Sequence, residues 1–180
     1  DLMDLSPALA SRFPGAAVAA PDGPAPCAAN PMGREWFDLT GATLDNGPDE
    51  AMPQLKELIS ILLEDHGLGY DRLALIGFSQ GGMIALSAGL SYKHALGGIF
   101  CLSGGWLTPS QTILQETGLP ILLAHGDADP VVPLAMMKAS ETALISKGFA
   151  PQQLVRPAMQ HSIDEAVIDT LARFIAQCGG

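Results

Sequence analysis

A serine flanked by glycines stands where an apolar segment meets a segment of helical spacing. The run Gly77-Phe78-Ser79-Gln80-Gly81 follows residues 72–77, which are apolar enough for a buried strand, and leads into the small-residue segment 80–91. A sharp turn from strand to helix would expose the Ser79 hydroxyl, and the backbone N–H of Gln80 could donate to a developing oxyanion. The pattern therefore predicts a nucleophilic serine. An ordinary capping serine is the alternative, which the strand and the helix disfavour.

A nucleophilic serine needs a base to take its proton and an acid to orient that base. Asp127 and Asp129 follow the predicted strand at residues 120–125, and His161 follows the predicted strand at residues 152–156. We favour Asp129 as the acid because the proline after it restricts its backbone. Asp127 is a natural turn residue and stays the alternative. His161 is the expected general base.

The other three histidines are expected to have structural roles. His66 ends a predicted helix before a glycine, where it can interact with the last helix carbonyls. His94 lies in a polar stretch and is expected in solvent. His125 ends a predicted strand and is expected to be a hydrogen-bonding residue of the framework.

Strands and helices alternate along the chain in the order needed to position these residues. Apolar periodicity predicts strands at residues 16–20, 72–77, 97–102, 120–125 and 152–156, and helices at residues 2–13, 49–66, 80–91, 134–148 and 162–177. This alternation indicates an α/β fold with a mostly parallel sheet flanked by helices. Ligands of such sheets bind beyond the carboxyl ends of the strands, where Ser79, both aspartates and His161 fall.

The composition limits the possible functions. The 180 residues suffice for one domain, and 48% of them are hydrophobic. With 9 Lys and Arg against 19 Asp and Glu the net charge is −10, so nucleic acid is not an expected partner. No apolar run reaches the roughly 18 residues of a membrane span. Cys27, Cys101 and Cys178 lack metal-ligand spacing, and such a sparse, odd set favours a reducing compartment.

Three sequence blocks, taken in chain order, resemble those of a known enzyme family. The blocks are Gly77-Phe78-Ser79-Gln80-Gly81-Gly82, His125-Gly126-x-x-Asp129-x-x-Val132-Pro133 and Met159-x-His161-Ser162. They resemble the carboxylesterase, lysophospholipase and acyl-protein thioesterase family of α/β-hydrolases, as does the segment from Pro21 to Asp38. The resemblance implies an α/β-hydrolase fold in one domain over residues 1–180. It also implies the triad Ser79, Asp129 and His161, with no metal or other cofactor.

The resemblance further implies a small cytoplasmic enzyme, often a homodimer. We expect a serine carboxylesterase that hydrolyses short-chain acyl esters through an acyl-enzyme on Ser79. Acyl-protein thioesterase or lysophospholipase activity is the first alternative. The second is a catalytically weak acyl-binding module with an intact serine turn and an incomplete oxyanion hole.

The sequence departs from the family pattern at its start. Family members carry a strand and a His-Gly-rich loop before the region that matches Asp1–Leu5, and that loop supplies the second oxyanion donor. Nothing in the sequence matches the loop. In the family's strand order the absent strand would lie between residues 16–20 and 72–77. We expect an N-terminal segment outside these 180 residues to fill that position, and direct pairing of the two strands is the alternative.

A long segment with little periodicity, residues 21–47, is expected to contribute to a binding pocket. Apolar side chains in this segment and in the loops near the acid and base are candidates for an acyl pocket. These are Met32, Trp36, Phe37, Trp106, Leu107, Val131, Val132 and Met159. Ordinary loop packing is the alternative for each of them.

Overall fold

The computed structural model describes residues 6–27, 30–39, 47–107 and 112–178. The elements in chain order are α1 (Ser6–Arg12), β1 (Ala25–Cys27), β2 (Asn30–Glu35), α2 (Gly47–His66), β3 (Ala74–Phe78), α3 (Gln80–Leu90), β4 (Gly98–Leu102), β5 (Ile121–Gly126), α4 (Leu134–Ser146), β6 (Gln152–Arg156) and α5 (Glu165–Cys178). Strands β3, β4, β5 and β6 form a parallel sheet in that order, and β1 and β2 form a separate antiparallel hairpin. This architecture is an α/β fold with a parallel sheet flanked by helices, as expected from the sequence.

The two central strands, β4 and β5, are buried along their whole length. Ile99 and Cys101 of β4 belong to the large core cluster that α2, α3 and α4 cover. The alternate residues Phe100 and Leu102 belong to clusters on the α5 side of the sheet. Because helices cover both faces, the residues of these strands are apolar or small, except for His125 of β5.

Small residues bring α3 close to the sheet. A Cβ atom added at Gly82 would lie 2.9 Å from Sγ of Cys101, and one added at Gly89 would lie 2.3 Å from Cδ1 of Ile99. Side chains at these positions would push the helix away from β4. The close approach fixes the start of α3 directly behind the end of β3, where Ser79 lies.

The prediction of a strand at residues 16–20 is wrong. The backbone there is irregular, and residues 16–19 are exposed. Four of the five residues are alanine, whose small side chain makes the run apolar without making it a good strand former. Within the described sheet β3 therefore pairs on one side only, with β4. Residues 16–20 and β3 both line a cavity of about 1180 Å³.

The remaining predicted elements are present with small shifts. The strand at residues 152–156 is confirmed as β6, and the other strands and helices after residue 47 begin and end within three residues of their predicted limits. The first helix is confirmed only over Ser6–Arg12, because residues 1–5 lie outside the described part. The hairpin of β1 and β2 was not predicted. Within the described ranges, every helix is too short or too polar to cross a membrane.

Candidate active site

Ser79 occupies the turn between β3 and α3 in a strained conformation. Its φ of 54° and ψ of −121° lie in a region that side-chain-bearing residues rarely adopt. Its N–H donates to the carbonyl oxygen of Leu102 at 2.8 Å, and its own carbonyl oxygen accepts from the N–H of Met83 at 3.1 Å. The end of β4 and the first turn of α3 thus hold the serine at the carboxyl edge of the sheet.

Gly77 makes this turn possible. A Cβ atom at this position would lie 2.0 Å from the carbonyl oxygen of Gly81, which is far inside contact distance. The strand can therefore approach the helix so closely only where residue 77 has no side chain. The glycine that precedes the serine by two positions is a steric requirement of the turn.

Asp129 lies in the turn after β5 with its side chain fully buried. Its Oδ1 accepts hydrogen bonds from the N–H groups of Val131 and Val132, at 2.8 and 2.9 Å. Its Oδ2 accepts one from Nδ1 of His161 at 2.8 Å. Burial by itself would raise the pKa of Asp129, but the hydrogen bonds from His161, Val132 and Val131 outweigh it and hold the pKa below its ordinary value.

Asp127 occupies a different place. It is exposed, and its Oδ1 accepts a hydrogen bond from the N–H of Ala158 at 2.7 Å. Its own N–H donates to the carbonyl oxygen of Arg156 at 3.1 Å. Ala158 has a φ of 56°, so the carboxylate of Asp127 holds the strained turn that leads to His161. Asp129 therefore contacts the side chain of His161, whereas Asp127 contacts the backbone of Ala158.

His161 lies beyond the end of β6 and is partly exposed. Because a carboxylate only accepts hydrogen bonds, Nδ1 of His161 carries the proton in the bond to Asp129. The imidazole lies 4.7 Å from the ring of Phe78, measured between centroids. Ser79 and His161 line the same cavity. The structure therefore pairs Asp129 with His161 and places Ser79 on the cavity that His161 also lines.

Gln80 acts at two points of this site. Its backbone N–H begins α3, where the first N–H groups have no acceptor within the helix. Its side-chain Oε1 accepts from the N–H of Trp36 at 2.8 Å, and its Nε2 donates to the carbonyl oxygen of Phe37 at 2.6 Å. This second role was not predicted from the sequence, in which a polar side chain beside the serine is the signal for it. Gln80 thus ties the segment after β2 to the serine turn.

The eight expected pocket residues do not form one wall. Of these, only Trp36 lines the cavity that contains Ser79 and His161. Phe37, Trp106 and Val132 are buried in the large core cluster, and Leu107 packs against it. Met159 is buried in a smaller cluster on the other face of the sheet. Met32 and Val131 are 94% and 64% exposed. The expected lining is corrected accordingly, because core packing takes up most of the large apolar side chains in these loops.

The remaining histidines lie where the sequence placed them. His66 is the last residue of α2, before Gly67 with its φ of 63°. His94 is exposed and stacks on Tyr70 at 4.5 Å between centroids. His125 is fully buried. In the part of the chain that the structure describes, no three His, Cys, Asp or Glu residues are grouped to hold a metal ion.

Comparison with known proteins gives a consistent result. The model of the phospholipase/carboxylesterase family matches residues 2–179. The chain is 34% identical over 158 residues to esterase YpfH of Escherichia coli strain K12, covering 86% of this chain and 67% of that protein. It is 35% identical over 162 residues to acyl-protein thioesterase 1 of Neurospora crassa, covering 79% of this chain and 64% of that protein. The chain thus spans about two thirds of the length of these relatives.

A solved structure is similar over nearly the whole chain. The crystal structure of esterase PE8 superimposes with a TM-score of 0.92 at 32% sequence identity, covering 99% of this chain and 86% of that one. Because the superposition covers 99% of this chain, it includes the sheet, the helices and the turns that carry Ser79, Asp129 and His161.

Proposed function

The chain belongs to the phospholipase/carboxylesterase family, and we propose that it is a serine hydrolase of carboxylic esters. The observation that carries the proposal is the hydrogen bond from Nδ1 of His161 to the buried carboxylate of Asp129. That bond leaves the other imidazole nitrogen, Nε2, available as a base in the cavity that Ser79 also lines. An acid that orients a base, and a base that can take the proton of a nucleophile, suit acyl transfer to water.

In the proposed reaction, Ser79 attacks the ester carbonyl while Nε2 of His161 takes the hydroxyl proton. Asp129 holds the imidazole in the required tautomer and stabilises the imidazolium. The N–H of Gln80, at the positive end of α3, donates to the oxyanion. His161 then protonates the leaving alcohol, and a water molecule activated by the same residue releases the acid from the acyl-enzyme.

Several finer points rest on the family resemblance alone. We propose short-chain acyl esters as the preferred substrates, with a cytoplasmic location and a homodimer as further expectations. The relatives named acyl-protein thioesterase favour thioesters as the second candidate substrate class. A weak acyl-binding module is the remaining alternative.

Rates of hydrolysis on matched substrates would test the proposal. We would compare acetyl, butyryl, octanoyl and palmitoyl esters of one alcohol with the corresponding thioesters and with a lysophospholipid, using Ser79→Ala as the control. We expect turnover of the shorter esters and stoichiometric labelling of Ser79 by a fluorophosphonate. A folded wild-type protein with no turnover and no labelling would favour the acyl-binding module.

A further inference from the structure

His125 is a buried histidine next to the active site to which the proposed reaction gives no role. It lies near the end of β5 and is 0% exposed. Its Nε2 lies 2.8 Å from the carbonyl oxygen of Val132. Because a carbonyl oxygen only accepts hydrogen bonds, Nε2 carries a proton and donates it. Nδ1 is buried and has no hydrogen-bond partner among the described residues. The polar contacts of the ring therefore lie on its Nε2 side, toward the turn that holds Asp129.

Val132 makes backbone hydrogen bonds to both Asp129 and His125. The N–H of Val132 donates to Oδ1 of Asp129 at 2.9 Å, and its carbonyl oxygen accepts from His125. Val132 is itself buried, so both of its backbone polar groups need partners inside the protein. The strand β5 is thus connected through His125 and Val132 to one oxygen of the catalytic acid.

The same nitrogen also faces the second oxygen of the acid. Nε2 of His125 lies 3.5 Å from Oδ2 of Asp129, the atom that accepts the hydrogen bond from His161. This distance is too long for a good hydrogen bond. It is short enough for the positive end of the N–H dipole to favour the carboxylate, since both side chains are fully buried. His125 therefore acts on Oδ1 of Asp129 through Val132 and on Oδ2 through its own N–H dipole.

We propose that His125 is a positioning residue that holds Asp129 in line with His161, acting through the backbone of Val132 and through its own N–H dipole. The inference rests on the proposed function, in which Asp129 orients the base. An apolar side chain would fill the same volume without burying Nδ1 unpartnered, which costs free energy. A histidine at this position therefore costs free energy at Nδ1, and we attribute its presence to the hydrogen bond that Nε2 donates to Val132.

Three substitutions separate positioning from packing. The amide nitrogen of glutamine reaches the position of histidine Nε2, so His125→Gln keeps the donor to Val132. Asparagine is too short to reach it, and leucine has no donor. We expect His125→Leu and His125→Asn to lower kcat by about 10- to 100-fold with little change in KM, as small displacements of catalytic groups do. His125→Gln should stay within about threefold of wild type.

A double-mutant cycle with Asp129→Asn provides a readout that packing alone would not change. If His125 acts through the acid, His125→Asn should lower kcat by less than about twofold once Asp129 is already replaced. Tyr92→Leu is the control, because Tyr92 is also buried but lies before β4, at the amino end of the strands and away from Ser79, Asp129 and His161. It should lower the free energy of unfolding while leaving kcat within about twofold of wild type.

The outcomes are distinguishable. The inference is overturned if His125→Gln is as slow as His125→Asn, or if His125→Asn is as active as wild type. It is also overturned if the loss is fully additive with Asp129→Asn. If His125→Leu does not fold, the comparison of Gln with Asn still decides the question. Full activity of Asp129→Asn would instead contradict the proposed function, whatever happens at position 125.

Discussion

The two sides of Ser79 differ in how they are built. On the side of β4, β5 and β6, strands pair along their length and the turns beyond them are joined by backbone hydrogen bonds, such as Ala128 N–H to the carbonyl oxygen of Met159 at 3.1 Å. On the other side, the edge of β3 faces a cavity of about 1180 Å³ bounded by the irregular residues 16–23. The serine stands at the border between a closely packed region and an open one.

The difference shows which part of the molecule the proposed chemistry depends on. The strained turn of Ser79 is held by Leu102 and Met83, and the acid and base are held by turns after β5 and β6. All of these supports lie on the closely packed side. The side chain of Gln80 is the contact that reaches across to the open side. The hydrogen bonds that hold the acid–base pair therefore come from the closely packed side, although the His161 ring itself borders the cavity.

The largest expected effect is at the nucleophile and the base. Ser79→Ala and His161→Ala should each lower kcat by about 10⁶, and the double variant should be little worse because triad residues act as a unit. Initial rates on a short-chain ester, with circular dichroism to check folding, would measure this. Losses that multiply in the double variant would mean that the two side chains do not work together.

The next effect distinguishes the two aspartates. Asp129→Asn should lower kcat by about 10⁴, because an amide at this position favours the wrong imidazole tautomer. Asp127→Asn should cost less than about tenfold, since the carboxylate of Asp127 accepts its hydrogen bond from the backbone N–H of Ala158 and not from His161. Steady-state kinetics of the two variants side by side would measure the difference. A greater loss in Asp127→Asn would reverse the assignment of the acid.

Substitutions at two glycines test the difference in packing between the β4–β6 side of Ser79 and the side that faces the cavity. A Cβ atom at Gly126 would lie 2.0 Å from the carbonyl oxygen of Met159, whereas one at Gly15 would meet nothing within 4 Å. Gly126→Ala should lower the free energy of unfolding by about 3 kcal/mol, and Gly15→Ala should change it by less than about 0.5 kcal/mol. Urea titration of both variants would show this. Equal effects would contradict the contrast between the two regions.

The smallest effect concerns acid stability. The pKa of Asp129 is lower in the folded protein than the value of about 3.9 in an unfolded chain. The stability this carboxylate contributes is therefore present above about pH 4 and is lost as the pH falls through the folded-state pKa. Asp129→Asn should have a shallower decline in the free energy of unfolding below pH 4 than wild type. Identical slopes in urea titrations between pH 2.5 and 5 would contradict the pKa direction.

The sequence predicted the closely packed region better than the open one. Strands β3, β4 and β5 are apolar runs that contain a glycine, β6 is shorter in apolar residues, and helices of clear spacing separate the strands, so the type and order of these elements could be predicted. Ser79, Asp129 and His161 could be proposed because each follows a predicted strand. Asp129 was preferred to Asp127 because of the proline after it and because of the family resemblance of its block, and the structure places Asp129 against His161.

Residues 13–39 were predicted poorly for physical reasons. The alanine run at residues 16–20 is apolar, but alanine gains little from burial and does not favour a strand. The hairpin of β1 and β2 contains Pro26 and Pro31, which lack the N–H that a strand normally donates, so the segment has no strand pattern. The side chain of Gln80 makes its contacts through backbone atoms 43 and 44 residues away, and such contacts depend on the fold as a whole.

The separation of the three site residues along the chain has a consequence for folding. Asp129 lies 50 residues after Ser79, and His161 lies 32 residues after Asp129. The connections between parallel strands must close before these residues meet, and contacts of such long sequence separation form slowly. Helices of the chain can form earlier, because their contacts are local. During refolding, the return of hydrolysis should therefore lag behind the far-ultraviolet signal of the helices and report the joining of β3, β5 and β6 through β4.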